Sequence, residues 1–244
     1  MVVKFLFVLL TSINFYHPLV TDDTATVGKE VFQCELTSEY SWDKEENIIL
    51  NQFSFVGVLS FGLADNVDVS ISIPYTYIKE SGLHDKEIYG ISDSEIFIKY
   101  RVFGFDVVRI GFKPALMIPV GDDGKGLGLG VVGFKFLLLL DLFLLSNFSL
   151  YINSGYIRHQ NMVNEDLWHF SIGCDYEISD KFLLVANTGA DGHYKTGFNN
   201  MPVFFLGGLI YPLDEDFDLS WGLKLGITEV ENDYSLLLGV TFRF

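Results

Sequence analysis

The sequence predicts an all-β fold, a transmembrane antiparallel up-and-down β-barrel of about 12 strands. Three observations predict it: apolar and polar side chains alternate with a period of two in successive segments, the connections alternate between short and long, and the last segment, Tyr234 to Phe244, ends the chain on an aromatic residue.

The N-terminus reads as an export signal. Lys4 precedes an apolar run from Phe5 to Leu10, with further apolar residues as far as Val20. Thr11, Ser12 and Asn14 interrupt the run, and Ala25 to Val27 offer a weak cleavage site. The expected division is a signal over residues 1–27 and a barrel over 28–244; an amphipathic first strand or a plug segment is the alternative reading of the leader.

From about Val31 onward the rhythm is that of strands. Val67, Val69, Ile71, Ile73 and Tyr75 oppose Asp68, Ser70, Ser72 and Thr76, and Val108, Ile110, Phe112 and Leu116 oppose Arg109, Gly111 and Lys113. Trp168, Phe170, Ile172, Cys174 and Tyr176 oppose His169, Ser171, Gly173, Asp175 and Glu177. Phe217 to Thr228 and Tyr234 to Phe244 alternate almost without exception, and a one-residue slip would reverse every side chain. Segments near Gly126–Leu140, Phe182–Ala190 and Pro202–Tyr211 carry large residues on both faces and are weaker. In FKFLLLLDLFLL, Phe134 to Leu145, a helix would set Asp141 among leucines at bilayer depth, so a hairpin turning at Asp141-Leu142 is expected instead.

Short connections are expected at Ala64–Asn66, Gly104–Asp106, Asp141–Leu142, Ser179–Lys181 and Leu213–Asp216. Longer ones are expected at Trp42–Asn47, Lys79–Ser92, Gly121–Lys125, Arg158–Asp166, Asp191–Asn200 and Glu229–Asp233. Sorting of loop lengths by end is a property of outer-membrane barrels. Phe61, Phe103, Phe143, Phe182, Tyr211 and Phe217 near the short turns, with Tyr40, Trp42, Tyr77, Tyr156, Trp168 and Tyr234 near the long loops, would form two interfacial girdles.

Composition agrees. Hydrophobic residues make up 49% and mean hydropathy is +0.30 beside a net charge of -16, a combination that alternation along lipid-facing strands accommodates. With 16 basic residues scattered among 32 acidic ones, the chain lacks the clustered cations that nucleic acid requires. Cys34 and Cys174 have neither zinc spacing nor a CxxC motif, and alternation puts both on the lipid face of about the first and eighth strands, unpaired. His159, His169 and His193 lie in no nucleophile motif and have no local ligand spacing, so neither an enzyme nor a metal or other cofactor is expected. The glycine-rich stretch Gly121 to Gly130 lacks phosphate-loop spacing and carries Asp122 and Asp123, which favours a flexible hairpin loop.

The register points Asp68, Glu95, Lys99, Arg101, Arg109, Lys113, Asp175, Glu177, Lys224 and Arg243 into the lumen as candidate pore-lining residues. The basic group Lys99, Arg101, Arg109 and Lys113 is either a selectivity feature or half of a salt-bridge network. Twelve strands imply a restricted pore for small solutes. The alternatives are a structural or surface-interaction barrel without transport, and a soluble ligand-binding barrel.

Several short pieces resemble, in order, the outer-membrane family assigned a transport role in the meta-pathway of phenol degradation. They are Val31–Glu35, Gly62–Asp65, Ile73–Tyr75, Gly90–Asp93, Ile98–Arg101, Ala115–Asp122, Tyr151–Tyr156 and Gly239–Phe244. Val120 and Ser154 depart from the family pattern. The resemblance implies a barrel that passes a small-molecule solute of hydrophobic or aromatic character, and the terminal segment Tyr234 to Phe244 separately resembles the strand signal that the barrel-assembly machinery recognises; outer-membrane lipid and lipopolysaccharide are the expected surroundings of such a bacterial outer-membrane barrel.

Overall fold

The computed structural model describes residues 18–46, 48–82, 85–160, 166–179, 181–193 and 201–244. Its strands are β1 (Phe32–Glu45), β2 (Ile48–Ala64), β3 (Val67–Ser81), β4 (Lys86–Ile91), β5 (Ser94–Gly104), β6 (Val108–Ile118) and β7 (Gly133–Leu145). They continue with β8 (Phe148–His159), β9 (Leu167–Ser179), β10 (Phe182–His193), β11 (Val203–Pro212), β12 (Phe217–Gly226) and β13 (Tyr234–Arg243). Each pairs antiparallel with its neighbours, and β1 pairs with both β2 and β13, from Gln33↔Arg243 to Trp42↔Tyr234. The sheet therefore closes, as a β-structure in lipid must if no backbone edge is to lie unpaired.

The 13 strands fill 12 wall positions, because β4 and β5 are two halves of one position, both paired with β3. The break falls at Ser92–Asp93, opposite Pro74 of β3. Ser92 donates its N–H to the Pro74 carbonyl at 2.9 Å, but proline has no N–H to return. Above the break, β4 has a strand partner on one side only. Residues 119–132 fold over its other flank. The Asp93 carboxylate accepts the N–H groups of Gly121 (3.1 Å) and Leu129 (2.9 Å), and Leu127 packs with Ile78 and Ile88. A Cβ at Gly128 would lie 2.2 Å from Asp93, so this part of the glycine-rich stretch is shaped by close approach to a carboxylate.

The side-chain alternation is the expected one. Leu236, Leu238 and Phe242 of β13 and Trp221, Leu223 and Leu225 of β12 face outward, whereas Ser235, Leu237, Ser220 and Lys224 are buried inside. Around the short-turn rim, rings touch in pairs, Phe32 with Phe61 (4.5 Å), Phe182 with Tyr211 (5.1 Å) and Phe217 with Phe242 (4.7 Å). At the other rim, Trp42 stacks on Tyr234 at 5.5 Å. Cys34 on β1 and Cys174 on β9, the eighth wall position, are free.

Four local expectations are corrected. Lys79–Ser92 is not one long loop, since β3 runs to Ser81 and β4 occupies Lys86–Ile91. Asp141 is not in a turn: β7 continues to Leu145, with Leu145↔Phe148 closing the hairpin at residues 146 and 147, because Asp141 has a partner inside the barrel. Trp42–Asn47 is not a long loop, since β1 and β2 stay paired to Glu45↔Ile48. Phe143 does not join the girdle but has the lumen parity, with the Arg109 guanidinium 4.4 Å above its ring.

Candidate functional site: the occupied lumen

Residues 18–27 lie inside the barrel. The segment enters at the short-turn end, where Val27 donates its N–H to Asp68 (3.0 Å), and Thr24 donates to Asp141 of β7 (N to Oδ2, 3.0 Å). The Asp22 N–H goes to Asn153 Oδ1 (2.7 Å), and its carbonyl accepts from Asn153 Nδ2 (2.8 Å). Val20 donates to Asn187 Oδ1 at 3.0 Å, and the Asn187 amide donates to the Thr21 hydroxyl. Buried backbone polar groups need such partners, and the wall supplies asparagines and a carboxylate from near the middle of β7, β8 and β10. Close approach also selects glycine: a Cβ at Gly208 would lie 2.7 Å from Pro18, and one at Gly173 would lie 3.1 Å from Thr21.

The two sides of the lumen differ chemically. On one side Lys113, fully buried, holds Asp22 at 2.6 Å, while Lys99 lies 3.1 Å from Asp23 and 3.5 Å from Asp22. Burial by itself pushes the Asp22 carboxyl up, but the Lys113 and Lys99 ammonium groups outweigh it and hold Asp22 below its ordinary value. On the other side Leu19 packs into an apolar cluster with Tyr151, Val185, Phe204, Leu206, Ile210 and Leu237. Below the segment, toward the short turns, a cavity of about 330 Å³ remains, bordered by Asp23 to Val27 except Thr24 and by wall residues of both chemistries.

The expected lumen residues divide into three groups. Lys99 and Lys113 grip the segment, and Asp68 anchors its entry. Glu95, Asp175, Lys224 and Arg243 are bonded to the wall and one of its loops: Glu95 to Lys135 (2.6 Å), Asp175 to the Tyr151 hydroxyl, Lys224 to Glu39 (3.0 Å) and to Glu231 of the β12–β13 loop (3.4 Å), and Arg243 to Asp218 (2.6 Å). Arg101 donates to the Asp65 carbonyl at the short-turn rim, Arg109 lies over Phe143, and Glu177 is exposed at the same end, so none of these three joins the central network.

Sequence reasoning missed Asp22, Asp23 and Thr24, because they fall within the expected leader; residues 1–17 lie outside the described residues. The acidic pair directly after the apolar run was the available signal. It also missed a buried relay in which His169 Nδ1 lies 2.7 Å from Asp191 and Nε2 lies 3.0 Å from the Ser171 hydroxyl. Its connectivity is that of a nucleophile triad, but Ser171 has no exposed surface, so no substrate carbonyl reaches it. The relay braces β9 against β10.

A closed antiparallel wall with lipid-type side chains outside and paired charges inside defines an outer-membrane β-barrel. The chain belongs to the family described as "Putative MetA-pathway of phenol degradation", whose model matches residues 18–244 and so includes the lumen segment. Among solved structures it is similar to an outer membrane channel from Pseudomonas putida F1, at 14% identity and a TM-score of 0.75 over 91% of this chain and 98% of that one. It is also similar to the KdgM porin (9% identity, TM-score 0.62, 87% and 99% covered) and to the β domain of the Bordetella autotransporter BrkA (13%, 0.56, 86% and 98%). These likenesses are of fold. No curated protein matches the sequence.

Proposed function

We propose that the chain is a narrow pore for small solutes, hydrophobic or aromatic ones among them, and that residues 18–27 set its bore. The observation that carries this reading is that the lumen is occupied by a separable segment, with a cavity of about 330 Å³ beside it, rather than filled by the wall's own side chains. Of the expected pore-lining residues, Asp68, Lys99 and Arg243 border that cavity and are in reach of a solute. An apolar cargo is supported by Phe97 and Ile210 in the cavity lining and by the pathway in the family's description.

In this reading the export signal ends ahead of Pro18, because removal of residues 18–27 would strip the buried Lys113 of its 2.6 Å carboxylate partner. Insertion by the barrel-assembly machinery and contact with lipopolysaccharide follow from the membrane assignment, and no catalytic step is assigned. The cargo is tested with vesicles whose outer leaflet contains lipopolysaccharide: the reconstituted barrel should speed the entry of phenol over protein-free vesicles. Equal rates would refute an aromatic cargo.

A further inference from the structure

The cavity under the lumen segment has an unbalanced set of charges. Four carboxylates border it, Asp23, Glu35, Asp68 and Asp218, and two bases, Lys99 and Arg243. Both bases are spoken for. Lys99 is shared between Asp22 and Asp23, and Arg243 lies 2.6 Å from Asp218. Glu35 and Asp68 are more than nine-tenths buried, and among the described residues neither lies in an ion pair. Their hydrogen bonds are few: Glu35 accepts the Gln33 amide (2.7 Å), Asp68 Oδ2 accepts the Val27 N–H, and Asp68 Oδ1 has no partner.

A buried carboxylate without a cation is costly, and a low-dielectric wall strengthens the field it projects into the space it borders. The remaining lining combines the Gln33 amide and serine and threonine hydroxyls with apolar residues, Phe97 and Ile210 among them, which offer an apolar surface beside the two carboxylates. We infer that this cavity is a binding site for a small organic cation, an ammonium head with an apolar body, and that the pore prefers cations. The inference rests on the pore reading for its second half only. The basic residues of the lumen do not reverse this preference, because Lys99 and Lys113 are neutralised by Asp22 and Asp23.

Two measurements test it on the full-length barrel. In planar bilayers under a KCl gradient, the reversal potential should show a several-fold preference for potassium, and the Glu35→Gln/Asp68→Asn double variant should bring the ratio toward unity. By calorimetry in detergent, the wild-type barrel should bind benzyltrimethylammonium and not benzenesulfonate, which tests the site even where the double variant fails to insert. Anion preference, or a ratio unchanged in an inserted double variant, would overturn the selectivity. Absence of benzyltrimethylammonium binding would overturn the site. Binding without any current would leave the site standing and refute the pore.

Discussion

Deletion of residues 18–27 will leave the barrel assembled and raise its single-channel conductance several-fold. The wall pairs without them, since β1 begins at Phe32 and closes on β13, so the segment contributes to the bore and not to closure. Its hold on the wall is strong: breaking one buried ion pair such as Asp22–Lys113 costs about 3–5 kcal/mol when one partner is left behind. The deleted chain will therefore pay for the larger bore with lower stability, read as a fall in the temperature at which heat-modifiable gel mobility is lost. Natural material should begin at or before Pro18, and N-terminal sequencing of outer-membrane protein checks that. The Asp22 clasp also fixes the direction of a pH effect. A carboxyl held below its ordinary value stabilises the docked segment above the unfolded carboxylate range, near pH 4, and loses that contribution as pH falls through the lowered value. Conductance of the intact chain should rise on acidification below about pH 4. A deletion variant with wild-type conductance would remove the segment from the account.

Deletion of Thr241 to Phe244 will abolish insertion. The four residues supply the pairs Glu35↔Thr241, Cys34↔Phe242 and Gln33↔Arg243, and the reciprocal backbone bonds between Phe32 and Phe244, both 2.9 Å. They also carry two rim rings, Phe244 stacked on Phe32 at 5.8 Å and Phe242 against Phe217. Without them the start of β1 has an open edge at membrane depth, which lipid does not tolerate. Arg243→Gln removes only a side chain that reaches Asp218 at the short-turn end, so it should insert normally and shift ion preference further toward cations. Fractionation and heat-modifiable mobility separate the two, and normal insertion of the truncated chain would contradict closure through β13.

Most of the wall was legible because polar lumen positions alternate with lipid-facing ones in β3, β6, β9, β12 and β13. The pattern weakens in β10 and β11 for a physical reason. Val185, Phe204, Leu206 and Ile210 point inward, not to water but to Leu19 and its neighbours, so both faces read as apolar. In β7, Leu137 and Leu139 are wholly buried inside, and Asp141 looks like a turn residue only while Thr24 is unknown. The lumen network was hidden for the same reason. Its contacts join positions as far apart as Val20 and Asn187, separated by 167 residues, and half of them belong to a stretch whose composition resembles a leader. Lys99 and Lys113 were found by parity, but their carboxylate partners had no periodic pattern to betray them. The strand break at Pro74 was likewise open to inference, since a proline cannot complete the ladder, whereas the loop that covers the gap depends on the tertiary position of Asp93.

The central claim, that residues 18–27 lie within the lumen and set the bore, is tested most directly by a disulfide across it. A Cβ at Gly111 would stand 3.5 Å from the Cβ of Thr24, within the range a disulfide spans. In a chain whose Cys34 and Cys174 are replaced by serine, Thr24→Cys with Gly111→Cys should form an intrachain disulfide in oxidising conditions. The oxidised barrel should show small, steady current steps that no longer enlarge below about pH 4, and reductant should restore the acid-induced rise. Failure of the pair to oxidise in an inserted barrel, or an acid response unaffected by the disulfide, would contradict the account.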